Sequence, residues 1–116
     1  MKILVIDDEV PMLRAIKRGL AGQQVVCVQT AALALAEIRS NSPDVVLCDY
    51  LMPDTNGLEL IRQIKSAQPD LRCILMTGYT EALEGCQHED GAPDEIVEKS
   101  WNSDWLAVLG HREKPA

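Results

Sequence analysis

The feature that most constrains the fold is a series of short apolar runs, each followed closely by a polar residue. The runs cover residues 3–6, 45–48, 74–76 and 96–97, and the polar residues that follow them are Asp7, Asp49, Thr77 and Lys99. Continuous apolar runs of this length are typical of strands that are buried on both faces of a parallel sheet. The pattern therefore predicts an α/β protein.

Helix-like segments separate these runs. Leu13, Ile16 and Leu20 share one helical face, and Thr30 is a typical N-cap residue. The full prediction is strands at 2–7, 25–29, 44–49, 71–77 and 94–98, with helices at 11–21, 31–40, 58–67, 80–90 and 102–109. Strict alternation of this kind implies right-handed crossovers and a parallel sheet covered on both faces.

Composition limits the class of protein. A chain of 116 residues fits one domain, which we place at residues 1–110, with a polar tail or linker stub at 111–116. The net charge of −7 argues against direct nucleic-acid binding. No stretch reaches the roughly 18 apolar residues of a membrane span. Four cysteines without CxxC spacing indicate reduced thiols and a cytoplasmic location.

The polar residues that follow the strands predict a metal site. The carboxyl ends of parallel strands meet at one edge, so Asp7, Asp8, Asp49, Thr77 and Lys99 should gather there. A single aspartate after a strand is commonly a helix cap, but three carboxylates would crowd one another. Two carboxylates 4 Å apart repel by about 4 kcal/mol at an effective dielectric of 20. A hard divalent cation, Mg²⁺ above all, would relieve that repulsion.

The same residues suit phosphoryl transfer. Mg²⁺ commonly binds carboxylates together with phosphate oxygens, and Lys99 and the Thr77 hydroxyl could each contact another phosphate oxygen. A carboxylate can itself accept the group as an aspartyl-phosphate. In such reactions the protein contributes mainly positioning and charge neutralisation.

With these residues in place, the chain resembles the receiver domain of bacterial two-component response regulators from residue 2 to about residue 109. The resemblance is carried by four motifs in order, at residues 3–9, 49–57, 75–79 and 91–99. It implies a flavodoxin-like fold: a doubly wound, five-stranded parallel sheet of order 2-1-3-4-5 with five helices.

The resemblance also implies roles for individual residues. Asp49 matches the phosphoacceptor, which takes a phosphoryl group from a phosphohistidine of a sensor histidine kinase or phosphotransfer protein. Asp8 would bind Mg²⁺ directly and Asp7 mostly through water, with Asp49 and the main-chain carbonyl of Leu51 completing the protein ligands. The remaining matches are the switch hydroxyl Thr77, the phosphate-binding Lys99, and Leu51 and Tyr79, which tune dephosphorylation.

Two positions depart from the family pattern. Ser100 follows Lys99 where receivers usually have proline after a cis bond, so we expect either a trans bond with a re-routed loop or a cis bond held by the site. Ile96 replaces the aromatic residue of the family's switch, and we expect it in an edge strand against the last helix. Our hypothesis is that phosphorylation is kept while its readout at Ile96 is altered.

Partners follow from the resemblance. We expect an output domain or partner protein to bind the face formed by the fourth helix, the fifth strand and the fifth helix. That predicted fourth helix is strongly acidic, which suits a basic partner surface. We expect Trp101 and Trp105 to be buried in the core or packed over it, but exposed indoles would indicate a docking face or a homodimer.

Other functions stay open at this point. We expect no enzyme activity beyond the domain's own phosphoryl transfer and hydrolysis. The departures at Ser100 and Ile96 leave room for a pseudo-receiver that binds partners without phosphorylation. A Mg²⁺-dependent phosphatase would need a second acid where Leu51 stands, and acidic strand ends would repel the phosphate of a flavin.

Overall fold

The computed structural model describes residues 1–78, 91–99 and 104–110. All five predicted strands lie within them and form one sheet. They are β1 (Lys2–Ile6), β2 (Gln24–Val28), β3 (Val45–Asp49), β4 (Arg72–Thr77) and β5 (Glu95–Glu98). Every neighbouring pair is parallel, and the order is β2-β1-β3-β4-β5, which confirms the predicted order.

The described residues form four helices: α1 (Val10–Gly19), α2 (Ala31–Asn41), α3 (Gly57–Ala67) and α4 (Trp105–Gly110). Thr30 caps α2 by accepting a hydrogen bond from the Leu33 N–H at 3.2 Å, and Asn56 caps α3 in the same way. These four helices correspond to the predicted first, second, third and fifth helices. The predicted fourth helix, at 80–90, and the predicted tail, at 111–116, lie outside the described residues.

Helices cover the sheet on both faces. Leu4 and Ile6 of β1 point to the face packed against α2 and α3, whereas Ile3 and Val5 point to the face packed against α1 and α4. The central strand β3 is buried along its whole length. The fold is therefore the doubly wound α/β architecture that the sequence predicts.

Two predictions of detail are wrong. Ile96 does not pack on the last helix: it is half-buried among the residues between the sheet and α2 and α3, and Val97 packs on the α1–α4 face instead. The reason is that successive residues of a strand point to opposite faces. Helix α1 ends at Gly19 rather than residue 21, and Gly22 adopts a φ of +95° in the turn that leads to β2.

Cys27, Cys48 and Cys73 lie in strands, as predicted, and are free thiols. Burial raises the pKa of the Cys73 thiol to about 12 and raises that of Cys48 further, so both stay protonated and unreactive at neutral pH. Among the described helices, none has the length and apolar character needed to span a bilayer.

Candidate metal centre at the carboxyl rim

The edge of the sheet where β1, β3, β4 and β5 end is called the carboxyl rim here. Backbone hydrogen bonds continue past the strand ends and fix the residues that follow them. The Asp7 N–H donates to the Val28 carbonyl at 3.1 Å, and the Lys99 N–H donates to the Thr77 carbonyl at 2.9 Å. Asp49 is itself the last residue of β3. The sheet thus sets the positions of these polar side chains.

Three acidic side chains meet at this rim. Carboxylate oxygens of Asp7, Asp8 and Asp49 all lie within 4.8 Å of one another. Asp7 and Asp49 are 0% and 4% exposed, whereas Asp8 is open to solvent. An all-oxygen donor set with one side open to water is what Mg²⁺ prefers, since that ion keeps several waters beside one or two carboxylates. The residues present therefore fit a hard divalent cation.

The burial of two of these acids changes their ionisation. Burial raises the pKa of Asp7 from 3.8 to about 6, even though its carboxylate accepts a hydrogen bond from the Glu9 N–H at 2.9 Å and contacts Lys99. Burial also raises the pKa of Asp49, against the opposing hydrogen bond from Lys99. One ammonium group does not offset the charge of these carboxylates, which leaves an electrostatic role for a cation.

Lys99 lies among three carboxylates. Its ammonium nitrogen is 2.9 Å from Asp7 Oδ2, 3.0 Å from Asp49 Oδ2 and 2.8 Å from Glu9 Oε1. Burial lowers the pKa of Lys99, but the contacts with the Glu9, Asp7 and Asp49 carboxylates outweigh it and raise that pKa overall. The lysine is therefore charged in the resting protein.

Sequence reasoning assigned no role to Glu9, which the structure places in the site. Glu9 and Lys99 are 90 residues apart, so no periodicity links them. The structure makes Glu9 the N-cap of α1, although glutamate is not among the residue types that usually cap helices. Since this helix boundary is known only from the structure, the sequence alone does not assign a partner to the Glu9 carboxylate.

A cavity of about 390 Å³ opens beside the acids. Leu51 lies at its wall and is 65% exposed, and Thr77 lines it although the residue is 3% exposed. Both predicted positions thus face the space in which a phosphoryl group would lie. Tyr79 and Ser100, the other two positions singled out in the sequence, lie outside the described residues.

Gly57, the first residue of α3, holds the loop after Asp49 close to the sheet. A Cβ at this position would overlap the Asp49 carbonyl oxygen and lie 2.6 Å from a methyl carbon of Leu75. The Gly57 N–H also donates to the Tyr50 carbonyl at 2.7 Å. Only glycine permits this approach, which helps to close the Leu51–Asn56 loop, and the first three residues of that loop line the cavity.

The sequence family agrees with this geometry. Residues 3–108 match the family model of the response regulator receiver domain. The chain belongs to this family. As a receiver domain, it is 33% identical over 101 residues to the response regulator MprA of Mycobacterium sp. (strain KMS), a match that covers 85% of this chain and 44% of that protein.

Two further similarities extend the comparison. The receiver is 36% identical over 88 residues to the DNA-binding transcriptional activator DevR/DosR of Mycobacterium tuberculosis, covering 69% of this chain and 39% of that protein. It superposes with a TM-score of 0.82 and 32% identity on the response regulator protein TrrA of Thermotoga maritima in complex with Mg²⁺–BeF, covering 94% and 95% of the two chains. The chain spans less than half the length of both curated relatives.

Proposed function

We propose that this receiver domain accepts a phosphoryl group on Asp49 from a phosphohistidine of a sensor histidine kinase or phosphotransfer protein, with Mg²⁺ bound beside it. The observation that carries the proposal is the convergence of Asp7, Asp8 and Asp49 within 4.8 Å, with the Lys99 ammonium 3.0 Å from Asp49. The TrrA structure, a complex with Mg²⁺–BeF, supports it by similarity.

The residues of the site would have different roles in such a transfer. An oxygen of Asp49 forms the new bond to phosphorus while the phosphorus–nitrogen bond breaks, and the histidine nitrogen keeps the electron pair. Asp8, Asp7, Asp49 and the Leu51 carbonyl would hold the metal ion, which supplies positive charge near the phosphoryl oxygens. Lys99 and the Thr77 hydroxyl would each contact a phosphoryl oxygen, which neutralises and orients the product.

The test uses acetyl phosphate as donor, with and without Mg²⁺, and intact-protein mass as readout. We expect the wild-type chain to gain one phosphoryl group only when Mg²⁺ is present and Asp49→Asn to gain none. Asp70→Asn is the matched control, because Asp70 is an exposed aspartate in the turn before β4. Modification that persists in Asp49→Asn, or that needs no metal, would contradict the assignment.

The same experiment separates the alternatives. A folded wild-type protein that gains no phosphoryl group would favour the pseudo-receiver, which binds partners without phosphorylation. A phosphatase is disfavoured because the position two residues after Asp49 is Leu51, which is exposed and has no acid to donate a proton. We therefore propose no enzyme activity beyond the domain's own phosphoryl transfer and hydrolysis.

Receiver domains of this family interact with histidine kinases and output domains. We propose that the phosphorylated form switches a partner or output domain through the face that includes β5 and α4. DevR/DosR is a DNA-binding transcriptional activator, and the match covers 39% of it, so we propose that DNA binding in such a longer relative lies outside the matched segment. The net charge of −7 argues against DNA binding by the receiver domain itself. Free thiols in the described strands fit a cytoplasmic setting.

A further inference from the structure

We propose that Glu9 is a positioning residue that holds Lys99 in the resting protein and must release it before Lys99 can bind a phosphoryl oxygen on Asp49. The inference rests on the proposed function and concerns the same site. It starts from the number of donors on the lysine. An ammonium group has three N–H donors, and in this structure three carboxylates surround it at 2.8, 2.9 and 3.0 Å.

The three carboxylates differ in the free-energy cost of losing their contact with Lys99. The Asp7 side chain is 0% exposed and that of Asp49 is 6% exposed, whereas the Glu9 side chain is 57% exposed. Water can replace Lys99 at Glu9, but a buried carboxylate that lost the lysine would be left without compensation. When a phosphoryl oxygen needs a donor, the contact with Glu9 is therefore the one that breaks.

The backbone of Glu9 is fixed independently of its side chain. Its N–H donates to Asp7 Oδ1, and its carbonyl accepts from the N–H groups of Met12 and Leu13. Its side chain makes no capping bond to α1. The carboxylate is consequently not needed for the helix start, and its attachment to Lys99 is separable from the local fold.

Two substitutions separate the contact from the charge. Glu9→Gln keeps the length of the side chain but removes its charge, which reduces the ion pair with Lys99 to a weaker hydrogen bond with a neutral amide oxygen. Glu9→Asp keeps the charge but shortens the reach by roughly 1.5 Å, one carbon–carbon bond, which takes the carboxylate out of contact distance. If the ion pair with Lys99 is what matters, both variants behave alike, because neither can form it. If only the charge beside the cavity matters, Glu9→Asp behaves as wild type.

The first readout is the rate of phosphoryl uptake from acetyl phosphate, measured at a Mg²⁺ concentration that saturates each variant. In this step Asp49 forms the bond to phosphorus and acetate leaves with the electron pair of the broken bond. We expect both Glu9 variants to be phosphorylated about two- to fivefold faster than wild type, the range that corresponds to the free energy of an exposed ion pair. The dissociation constant for Mg²⁺ is measured separately by calorimetry.

The second readout needs neither metal nor donor. In the metal-free protein, the ammonium protons of Lys99 should exchange slowly enough to give an NMR signal, because the group is hydrogen-bonded to Glu9 and Asp49 and paired with the buried Asp7 carboxylate. That signal should broaden or disappear in both variants. Glu59→Gln is the control, because Glu59 forms an exposed ion pair with Arg62 on α3, away from the cavity. It should leave the rate and the Lys99 signal unchanged.

The outcomes distinguish the two proposals. If the wild-type protein takes up no phosphoryl group, the proposed function fails and this inference fails with it. If the wild type is phosphorylated but both Glu9 variants react at its rate, the holding role is wrong while the phosphoacceptor stands. If Glu9→Gln is faster and Glu9→Asp is not, the effect is one of charge alone and the inference is again overturned.

Discussion

Aspartates stand at both ends of the sheet. At the amino end, Asp44 precedes β3 and accepts a hydrogen bond from the Lys2 N–H at 2.7 Å, and Asp94 precedes β5 and accepts one from the Cys73 N–H at 2.8 Å. Both are exposed. At the carboxyl rim, Asp7 and Asp49 are buried, lie close together and have raised pKa values. The same residue type thus occupies opposite electrostatic settings.

The difference separates residues that serve folding from residues that serve chemistry. An amino-end aspartate satisfies a backbone N–H at the start of a strand while its charge stays in water, so it stabilises the fold at little cost. A rim aspartate gives up hydration and lies next to other negative charge. Folding alone would not favour that arrangement, and this is the physical reason to regard the rim as functional.

The largest effect is expected where the rim is packed most tightly. Gly57→Ala would force a methyl group against the Asp49 carbonyl and the Leu75 side chain, so either the loop or β3 must move. We expect a loss of about 3 kcal/mol in the free energy of unfolding, measured by urea denaturation. Gly78→Ala is the control, since a Cβ there meets nothing within 4 Å. If the Gly57→Ala and Gly78→Ala variants had equal free energies of unfolding, the rim would be packed less tightly than the structure indicates.

At the amino end, Asp94→Ala should destabilise the protein. It removes the acceptor for the buried Cys73 N–H and the ion pair with Lys65, in which the two charged atoms are 2.6 Å apart. We expect a loss of about 2 kcal/mol, because a buried donor is left unpaired. Asp70→Ala, an exposed turn residue, should change little by comparison. If Asp94→Ala left the free energy of unfolding unchanged, the contrast between the two ends of the sheet would be lost.

At the rim, replacing an aspartate should have the opposite effect and increase the free energy of unfolding. Asp7→Asn keeps the shape of the side chain and its acceptor for the Glu9 N–H but removes a buried charge. We expect the metal-free protein to gain about 1–2 kcal/mol at neutral pH, less than the pKa shift alone implies, because an asparagine that still accepts from the Glu9 N–H turns its NH2 group, a donor, toward the Lys99 ammonium. Denaturation of the two proteins in a chelator measures this gain. A less stable Asp7→Asn would mean that the ion pair outweighs the crowding.

Most of the fold could be predicted from the sequence because the patterns that specify it are local. The apolar runs that became β1, β3 and β4, and the cap at Thr30, each report on their own segment. Strand ends then placed Asp7, Asp8, Asp49, Thr77 and Lys99 on one rim without knowledge of any contact. The strand order itself came from the resemblance to receivers.

What the sequence did not reveal depends on contacts between distant residues. The attachment of Glu9 to Lys99 joins the start of α1 to the end of β5, and no pattern within either segment records it. Ile96 was assigned to the wrong face because a run of two apolar residues leaves open which one points to which helix layer. In both cases the deciding information is side-chain direction, which only the assembled sheet determines.

The smallest effect expected is a pH dependence that belongs to the rim alone. Asp7 has a pKa of about 6 in the folded protein against 3.8 when unfolded, so the folded state binds its proton more tightly. The cost of its charge is therefore complete above pH 6, shrinks as the pH falls through that value and is gone below pH 3.8. The charged groups near Asp7 are Asp8, Asp49 and Lys99, and the lysine stays protonated throughout this range.

Comparing wild type with Asp7→Asn cancels the titration of all other groups to first order. We expect the stability advantage of Asp7→Asn in metal-free buffer to shrink by about 1 kcal/mol between neutral pH and pH 5, as one pKa unit corresponds to about 1.4 kcal/mol. Asp44→Asn against wild type, measured in the same buffers, is the amino-end counterpart of this comparison. A constant difference for Asp7→Asn would show that the carboxylate is as well compensated at the rim as its counterparts are at the other end of the sheet.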